Sequence, residues 1–414
     1  MSYTPVIEIR VGLDFTGTIL PIGRLALREG QIYFEYDSSF LTSGLEISPL
    51  RLPLQAGVRS FDRSLFEGLP GLFNDSLPDG WGRLLLDRSI RQQGMLPGQF
   101  SPLDRLAHVG KKGMGALVYE PDQGTDEVRG HINLDVLAAH AQDVLDGEAG
   151  SILEELLALN GSSAGARPKA VIAVDATRKN IIHGTDTMQA GYEPWLVKFP
   201  NTVDGLDAGA VEYVYALMAK DAGLDMTEAH LFSAQTGAGY FATKRFDRNA
   251  GQRVHIHSAC GLLHSDFRVP SLDYEDLIAL TGMLTRDVRE VAKMFQLAVF
   301  NVLAHNRDDH SKNFSFLMNE TGEWKLAPAY DLTFSSGPGG EQSTMVMGEG
   351  KIPRTEHLTK LGLDAKLGQE LINTIIDRTK NALSQWKVLA NNHGVSQASI
   401  ELIDKKLLTS PGSC

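Results

Sequence analysis

Residues 303–316 read LAHNRDDHSKNFSF. Asn306, Arg307, Asp308, Asp309, His310, Lys312 and Asn313 stand there between two apolar runs. Polar groups crowded in this way face something other than bulk water, because withdrawing them from solvent is costly unless a partner meets them. The chain is led to this cluster by a periodic stretch. Val288, Val291, Phe295, Ala298 and Val302 recur every three or four residues, which predicts a helix with one buried stripe ending at the polar loop.

Asp308 and Asn313 lie five positions apart. That is the Asp-x-x-x-x-Asn spacing of a protein-kinase catalytic loop, where the Asp receives the proton of the acceptor hydroxyl and the Asn holds a metal ion. Phosphoryl transfer needs an in-line nucleophile, a carboxylate beside it and a cation against the phosphate charge. Magnesium takes oxygen ligands, which an amide and a carboxylate supply. Asp331, in APAYDLTF after the strand-like EWKLAP, is the candidate second carboxylate ligand. A two-His, two-Asp metal-hydrolase cluster within HNRDDH is a competing reading, but it leaves Lys198 and Asp331 without a role. His305 and His310 read as hydrogen-bonding side chains rather than metal ligands.

Lys198 sits inside the strand-like WLVKFP. A lysine among apolar strand neighbours is costly unless its ammonium meets an anion. Glu212 follows in GAVEYVYALMAKDAG, which predicts a helix with Val211, Val214, Met218 and Ala222 on one face and Gly223 closing it. A strand lysine with a helix glutamate forms the ion pair that orients ATP phosphates in kinases. Upstream, NGSSAGARPKA is a small-residue loop whose backbone N–H groups and hydroxyls suit phosphate. It lacks Gly-x-Gly-x-x-Gly and is not a Walker A loop. Singly, each feature has an ordinary explanation: an edge-strand lysine, a solvated glutamate, a flexible turn. Their order decides the matter: small-residue loop, strand Lys, helix Glu, the strand in TGAGYFATKRFDR, Asp-x-x-x-x-Asn, then Asp.

A chain of 414 residues, 43% hydrophobic, is too long for one core and predicts two or three units. A net charge of −12 and a pI near 5.5 argue against sequence-independent nucleic-acid binding by the whole surface. Two cysteines, Cys260 and Cys414, make no disulfide framework and no Cys zinc site. The opening MSYTPVIEIRVGLDF has no basic stretch followed by an apolar one, and no apolar run approaches the roughly 20 residues that span a bilayer. A cytoplasmic protein with no membrane partner is expected. VIEIRVGL, TILPIGRLAL and QIYFEY predict a small antiparallel sheet, and Pro78, Asp79 and Gly80 a turn before a helix. The expected fold class is α+β. Residues 1–120 form a β-rich N-terminal subdomain, 121–150 an acidic, partly helical connector, and 151–270 a kinase-like N-lobe with the nucleotide-binding strands. Residues 271–414 form a mostly helical C-lobe that carries the catalytic loop.

SSAGARPKA, WLVKFP, EYVYALMAKDAGL, YFATKRFDR, DDHSKNFSF and PAYDL resemble the kinase core of the HipA family, serine/threonine kinases that are toxins of type II toxin–antitoxin systems. SLPDGWGRLLLDR and DRLAHVGKKGMGALVYEP resemble that family's N-terminal subdomain. The resemblance implies ATP and Mg2+ as cofactors, Asp308 as the catalytic aspartate, Asn313 and Asp331 as metal ligands and Lys198 as the ATP-binding lysine, with Glu212 as its partner. It implies that Ser162, Ser163, Ala164 and Gly165 cover the nucleotide and that Ser162, or its neighbour Ser163, is autophosphorylated. It implies phosphate contacts from His310 and Lys312 and a nucleotide hinge in HIHSACG, around His257. The implied substrate is an aminoacyl-tRNA synthetase. Many relatives bind a small helix-turn-helix antitoxin, and since no helix-turn-helix is found here, DNA would be reached only through such a partner. The alternative is a catalytically weak HipA-like binding module acting through an antitoxin–DNA complex.

Overall fold

Alternation builds the first sheet. Ile9, Val11 and Leu13 point to one face of their strand and are buried. In the computed structural model, which describes residues 3–124, 130–147, 152–160, 165–184, 189–201, 203–249 and 251–409, this strand is β1 (Glu8–Asp14). It joins β2 (Ile19–Arg28), β3 (Gln31–Tyr36), β4 (Arg59–Ser60) and β5 (Leu117–Glu120) in the antiparallel order β4-β3-β2-β1-β5. A Cβ on Gly23 would lie 2.2 Å from the Glu35 carbonyl oxygen, so this cross-strand pair requires glycine. The buried face is closed by Leu72 and Phe73 of α1 (Gly71–Asn74).

The next helix, α2 (Gly80–Gln92), abandons that core, whereas α3 (Pro102–Val109) returns to it with Leu103 and Leu106. Trp81, Leu85, Leu86 and Ile90 of α2 pack with α4 (Leu134–Leu145) and α5 (Ile152–Asn160) against a second sheet. Helices from the first two expected segments therefore join this core. The 1–120 unit lends a helix to the next layer, and the 121–150 connector contains α4, which buries Leu134, Leu137, Ala141 and Val144 in the same core. The connector is partly helical as expected, its acidic residues standing beside an apolar stripe at helical spacing. The second sheet comprises β6 (Lys169–Asp175), β7 (Ile181–His183), β8 (Tyr192–Lys198), β9 (Ala229–Phe232) and β10 (Tyr240–Lys244), in the order β7-β6-β8-β10-β9. Its register sets Lys169 opposite Lys198. Between β8 and β9 runs α6 (Ala208–Asp221), whose Val211, Val214 and Met218 enter the core of the helical lobe.

Beyond β10 a hairpin, β11 (Arg248–Asn249) and β12 (Gln252–Arg253), leads to β13 (His255–Ser258) and α7 (Ala259–Leu263). After β14 (Leu272–Asp273) come α8 (Tyr274–Thr285) and α9 (Val288–Leu303). Strands β15 (Ser315–Met318) and β16 (Trp324–Leu326) complete a sheet of order β13-β15-β16, and β17 (Thr344–Met345) pairs with β14. Helices α10 (Thr355–Asp364), α11 (Gln369–Leu383), α12 (Trp386–Asn392) and α13 (Gln397–Thr409) finish the lobe. On α9, Val291, Phe295, Ala298 and Val302 are buried as their spacing requires. Val288 is not: it follows the N-cap Asp287 at the very start of the helix and is 63% exposed. The α+β class expected from the sequence is the class observed. Among the described residues no helix is long and apolar enough to cross a membrane.

The N-terminal unit is fastened to the core by a buried carboxylate. Asp247, with no exposed surface, accepts the Gly115 N–H at 2.7 Å and bonds from Arg245 at 2.7 and 2.9 Å and Arg248 at 2.7 Å. Arg248 and Arg253 reach on to the carbonyls of Gly113 and Gly115. Removing one member of a buried charge cluster strands the others without a partner. Asp247→Ala should lower unfolding free energy by about 3–5 kcal/mol, read from the urea midpoint at unchanged denaturant slope.

Candidate active site

The loop after α9 sorts its side chains in two directions. His305 takes a left-handed turn, φ 55°, and its ring stacks on Phe334. Asn306 turns inward and donates to Asn301 at 2.9 Å; Asn301 donates to the Tyr274 hydroxyl at 3.0 Å. Tyr274 in turn donates to Asp309 at 2.7 Å. Asp309 also accepts from Gln342 at 2.9 Å and from the backbone N–H groups of Ser343 and Thr344 at 2.9 and 3.2 Å. This buried network pins the loop to residues 342–344. Asp308, between the two inward residues, is 58% exposed at its side chain. The Asn313 amide donates to the Asp308 carbonyl at 2.7 Å, which leaves the amide oxygen for a cation.

Lys198, at the end of β8, is buried, and its ammonium lies 2.5 Å from Glu212 on α6 and 2.5 Å from Asp331. Arg167 bonds the other oxygen of Glu212 at 3.2 Å and Asp204 at 3.0 Å. Asp331 is itself in the left-handed region, φ 57°, which costs a non-glycine residue free energy and aims its carboxylate at Lys198. Burial alone would raise the Asp331 carboxyl; Lys198, Lys169 and Arg167 hold it far below the usual carboxylate range. Lys198 is pushed up, because Asp331 and Glu212 outweigh its desolvation. Lys169, opposite it in the sheet, is lowered to about 8, chiefly by burial and then by the Lys198 charge. The Asp308 carboxyl is raised by burial against the pull of His310, with Asp331 adding to the rise and Arg167 and Lys198 opposing it. Asp308, Asp331, Lys198, Arg167 and His310 thus share one electrostatic site.

Lys312 meets Asp79 at 2.5 Å, and His310 packs on Phe267 with its Nε2 4.0 Å from Asp308. Gly165 donates its N–H to Asp79 at 2.5 Å. Ser162, Ser163 and Ala164 lie outside the described residues. One expectation is corrected. His257 has no exposed surface; its ring bonds Asp75 at 2.6 Å and Ser48 at 3.0 Å, so it belongs to the seam with the N-terminal unit and cannot touch a nucleotide. The chain leaves the five-stranded sheet ten residues earlier, through Arg245–Asp247, where Phe246 packs on Tyr330. Three site residues went unread: Arg167 and Lys169, hidden in a stretch read for its small residues, and Asp79, read only as a turn. The donor set suits a magnesium ion, since Asp331 and Asn313 offer a carboxylate and an amide oxygen, both hard ligands. Among the described residues no group of three or more His, Cys, Asp or Glu is arranged to hold a metal, which removes the support for a hydrolase cluster in HNRDDH.

The family model of the HipA-like C-terminal domain matches residues 161–386, and that of the HipA N-terminal domain matches residues 18–120. The chain belongs to the HipA family. Among its relatives, Y4mE of Sinorhizobium fredii, which carries a provisional kinase name, is 28% identical over 331 residues, 74% of this chain and 72% of its own. The serine/threonine-protein kinase toxin HipA of Shewanella oneidensis is 29% identical over 103 residues, 25% of this chain and 22% of its own. The solved complex of Shewanella oneidensis MR-1 HipA, HipB and its operator DNA superposes its HipA-like fold on this one with a TM-score of 0.68 at 18% identity, over 97% of this chain and 96% of that one. These likenesses make the chain a HipA-family protein with a kinase-like fold.

Asp309 gives the loop a pH signature. Burial pushes its carboxyl from the ordinary 3.8 up to about 6, against the bonds from Tyr274, Thr344, Gln342 and Ser343. A carboxyl that binds its proton more tightly when folded contributes stability that is complete below the unfolded value and is lost as pH rises through the folded one. The wild type should therefore lose stability relative to Asp309→Asn between about pH 4 and 6, in paired thermal melts across that range. A constant difference would exclude titration of Asp309 there.

Proposed function

We propose that this HipA-family chain is an ATP- and magnesium-dependent serine/threonine protein kinase. The observation that carries the reading is the Lys198 ammonium held at 2.5 Å by both Glu212 and Asp331, in the same field as the exposed Asp308. Lys198 binds the ATP phosphates and Glu212 keeps it aimed. Asp308 orients the acceptor hydroxyl and takes its proton as the oxygen attacks the γ-phosphorus; the bond to the β-phosphate oxygen breaks and ADP leaves. Asn313 and Asp331 would hold Mg2+, which neutralises phosphate charge. His310 and Lys312 offer N–H donors at the phosphate side of the loop.

The finer assignments extend this reading. Autophosphorylation at Ser162, or Ser163, and an aminoacyl-tRNA synthetase as substrate are supported by family membership. A helix-turn-helix antitoxin as partner, with DNA reached through it, is supported by the HipB and operator DNA bound to the structural neighbour. The test is transfer of the labelled γ-phosphate of ATP by the purified chain, with peptide mapping of the product. Asp308→Asn should lose transfer by on the order of 10²–10⁴-fold while retaining ATP affinity. Transfer at the wild-type rate in that variant would refute the role, and none from the wild type, to itself or to cellular protein, would favour a binding module.

A further inference from the structure

Asp79 lies in the N-terminal segment, to which the kinase reading gives no chemistry. It precedes α2 at the N-cap, where an aspartate ordinarily accepts N–H groups of its own helix. Here its side chain makes no bond to that helix. One oxygen accepts the Gly165 N–H at 2.5 Å, and the other meets the Lys312 ammonium at 2.5 Å. The contact is two-sided, for the Trp81 N–H donates to the Gly165 carbonyl at 3.0 Å. Gly80 has φ 43°, and a Cβ there would lie 2.5 Å from the Gly165 carbonyl oxygen and 2.8 Å from the Ala166 Cα. Turn and loop therefore touch backbone to backbone, which is why this turn carries glycine.

The partners of Asp79 are the two parts of the site that must meet phosphate. Gly165 continues the small-residue loop, and Lys312 belongs to the catalytic loop. The side chains of Asp79 and Lys312 are 10% and 9% exposed, so the pair is shielded from water. Burial would raise the Asp79 carboxyl; Lys312, the Gly165 N–H and Lys169 reverse this and hold it below its ordinary value. Lys312 is fixed from two further sides. Its ammonium stands 4.7 Å from the Phe267 ring, and its carbonyl accepts the hydroxyl of Tyr330 at 2.6 Å, the residue before Asp331.

We propose that Asp79 is a positioning residue, an interdomain latch that holds the Gly165 loop and Lys312 in the arrangement that receives the ATP phosphates, so that the N-terminal domain sets the nucleotide affinity of the core. The proposal rests on the kinase reading above. A glycine-containing loop is entropically expensive to order, and ordering it before the nucleotide arrives removes that cost from binding. The opposite sign is physically distinct: if the carboxylate merely competed with phosphate for Lys312, its removal would tighten nucleotide binding.

The test uses the full chain as wild type, Asp79→Ala and Asp79→Asn, with two readouts. The first is hydrogen exchange of the peptide carrying the Gly165 amide, without nucleotide. The second is affinity for a fluorescent ATP analogue with Mg2+, alongside the KM for ATP and kcat. In Asp79→Ala the amide should exchange faster and the dissociation constant and KM rise, each about tenfold, the scale of one lost charge-assisted hydrogen bond, with kcat changed much less. Asp79→Asn keeps an oxygen for Gly165 but not the charge for Lys312, so it should fall between. Melting curves report folding; if the alanine variant does not fold, the isosteric Asn variant decides. Unchanged exchange, or nucleotide binding that is unchanged or tighter, overturns the latch. If the wild type binds no nucleotide, the kinase reading fails, and the exchange measurement still decides whether Asp79 holds the loop.

Discussion

A lysine ammonium out of contact with water cannot stay charged without anions beside it. Lys198 meets that constraint with two carboxylates, each at 2.5 Å and each brought by a different element: Glu212 by α6 and Asp331 by the segment after β16. The helical lobe, the strand and the returning segment are thus tied at one point. Truncating Lys198 would take the shared partner from both carboxylates at once, whereas truncating either carboxylate leaves the ammonium one anion. Arg167, on the second oxygen of Glu212, spreads the balance further. Although the chain is acidic, Lys169, Lys198 and Arg167 gather here against the carboxylates of Glu212 and Asp331, the local balance that the proposed binding of a triphosphate requires.

The same economy shapes the catalytic loop. Asp308 and Asp309 are neighbours with opposite fates. Asp309 spends its acceptors on Tyr274, Gln342 and two backbone N–H groups; Asp308 spends none on the core and faces out. In the role proposed for it Asp308 needs a backbone that does not drift, and its buried neighbour holds that backbone through its bonds to Tyr274, Gln342 and residues 343–344. Residues 342–344 are held by the same bonds, so the loop and the segment beside it are fixed relative to each other.

What the sequence disclosed follows from which signals are local. The alternation in VIEIRVGL and the stripe on α9 from Val291 onward depend on a few consecutive positions, and each reads as the element observed. Glu212 as partner of Lys198 came from order along the chain, a weaker signal made specific only by having several members, whereas the contact of Asp331 with the same ammonium was not read. What failed depends on contacts distant in sequence. His257 is polar within a strand, and nothing near it announces that Asp75, 182 positions away, will take its ring. Asp79 sits in a turn sequence whose ordinary explanation is sufficient by itself, so its reach across 233 positions to Lys312 was invisible. The 121–150 connector read correctly as partly helical, but its acidic composition did not show that α4 packs under the second sheet.

Three aspartates recur along the seam between the N-terminal unit and the core. Asp75 takes the ring of His257 and the N–H and hydroxyl of Ser258; Asp79 takes Gly165 and Lys312; Asp247 takes Gly115 and two arginines. Each accepts at least one backbone N–H. That detail matters, because an apolar seam tolerates sliding, whereas a carboxylate shared between a backbone N–H and a cation is satisfied in one geometry only. Bonds of this kind add little net free energy, since both partners give up water to form them. What they confer is position. A domain attached in this manner is poorly suited to swing as a loose appendage and well suited to set the coordinates of the loop it grips, which is why the N-terminal unit is better regarded as part of the site's architecture than as an adjunct to it.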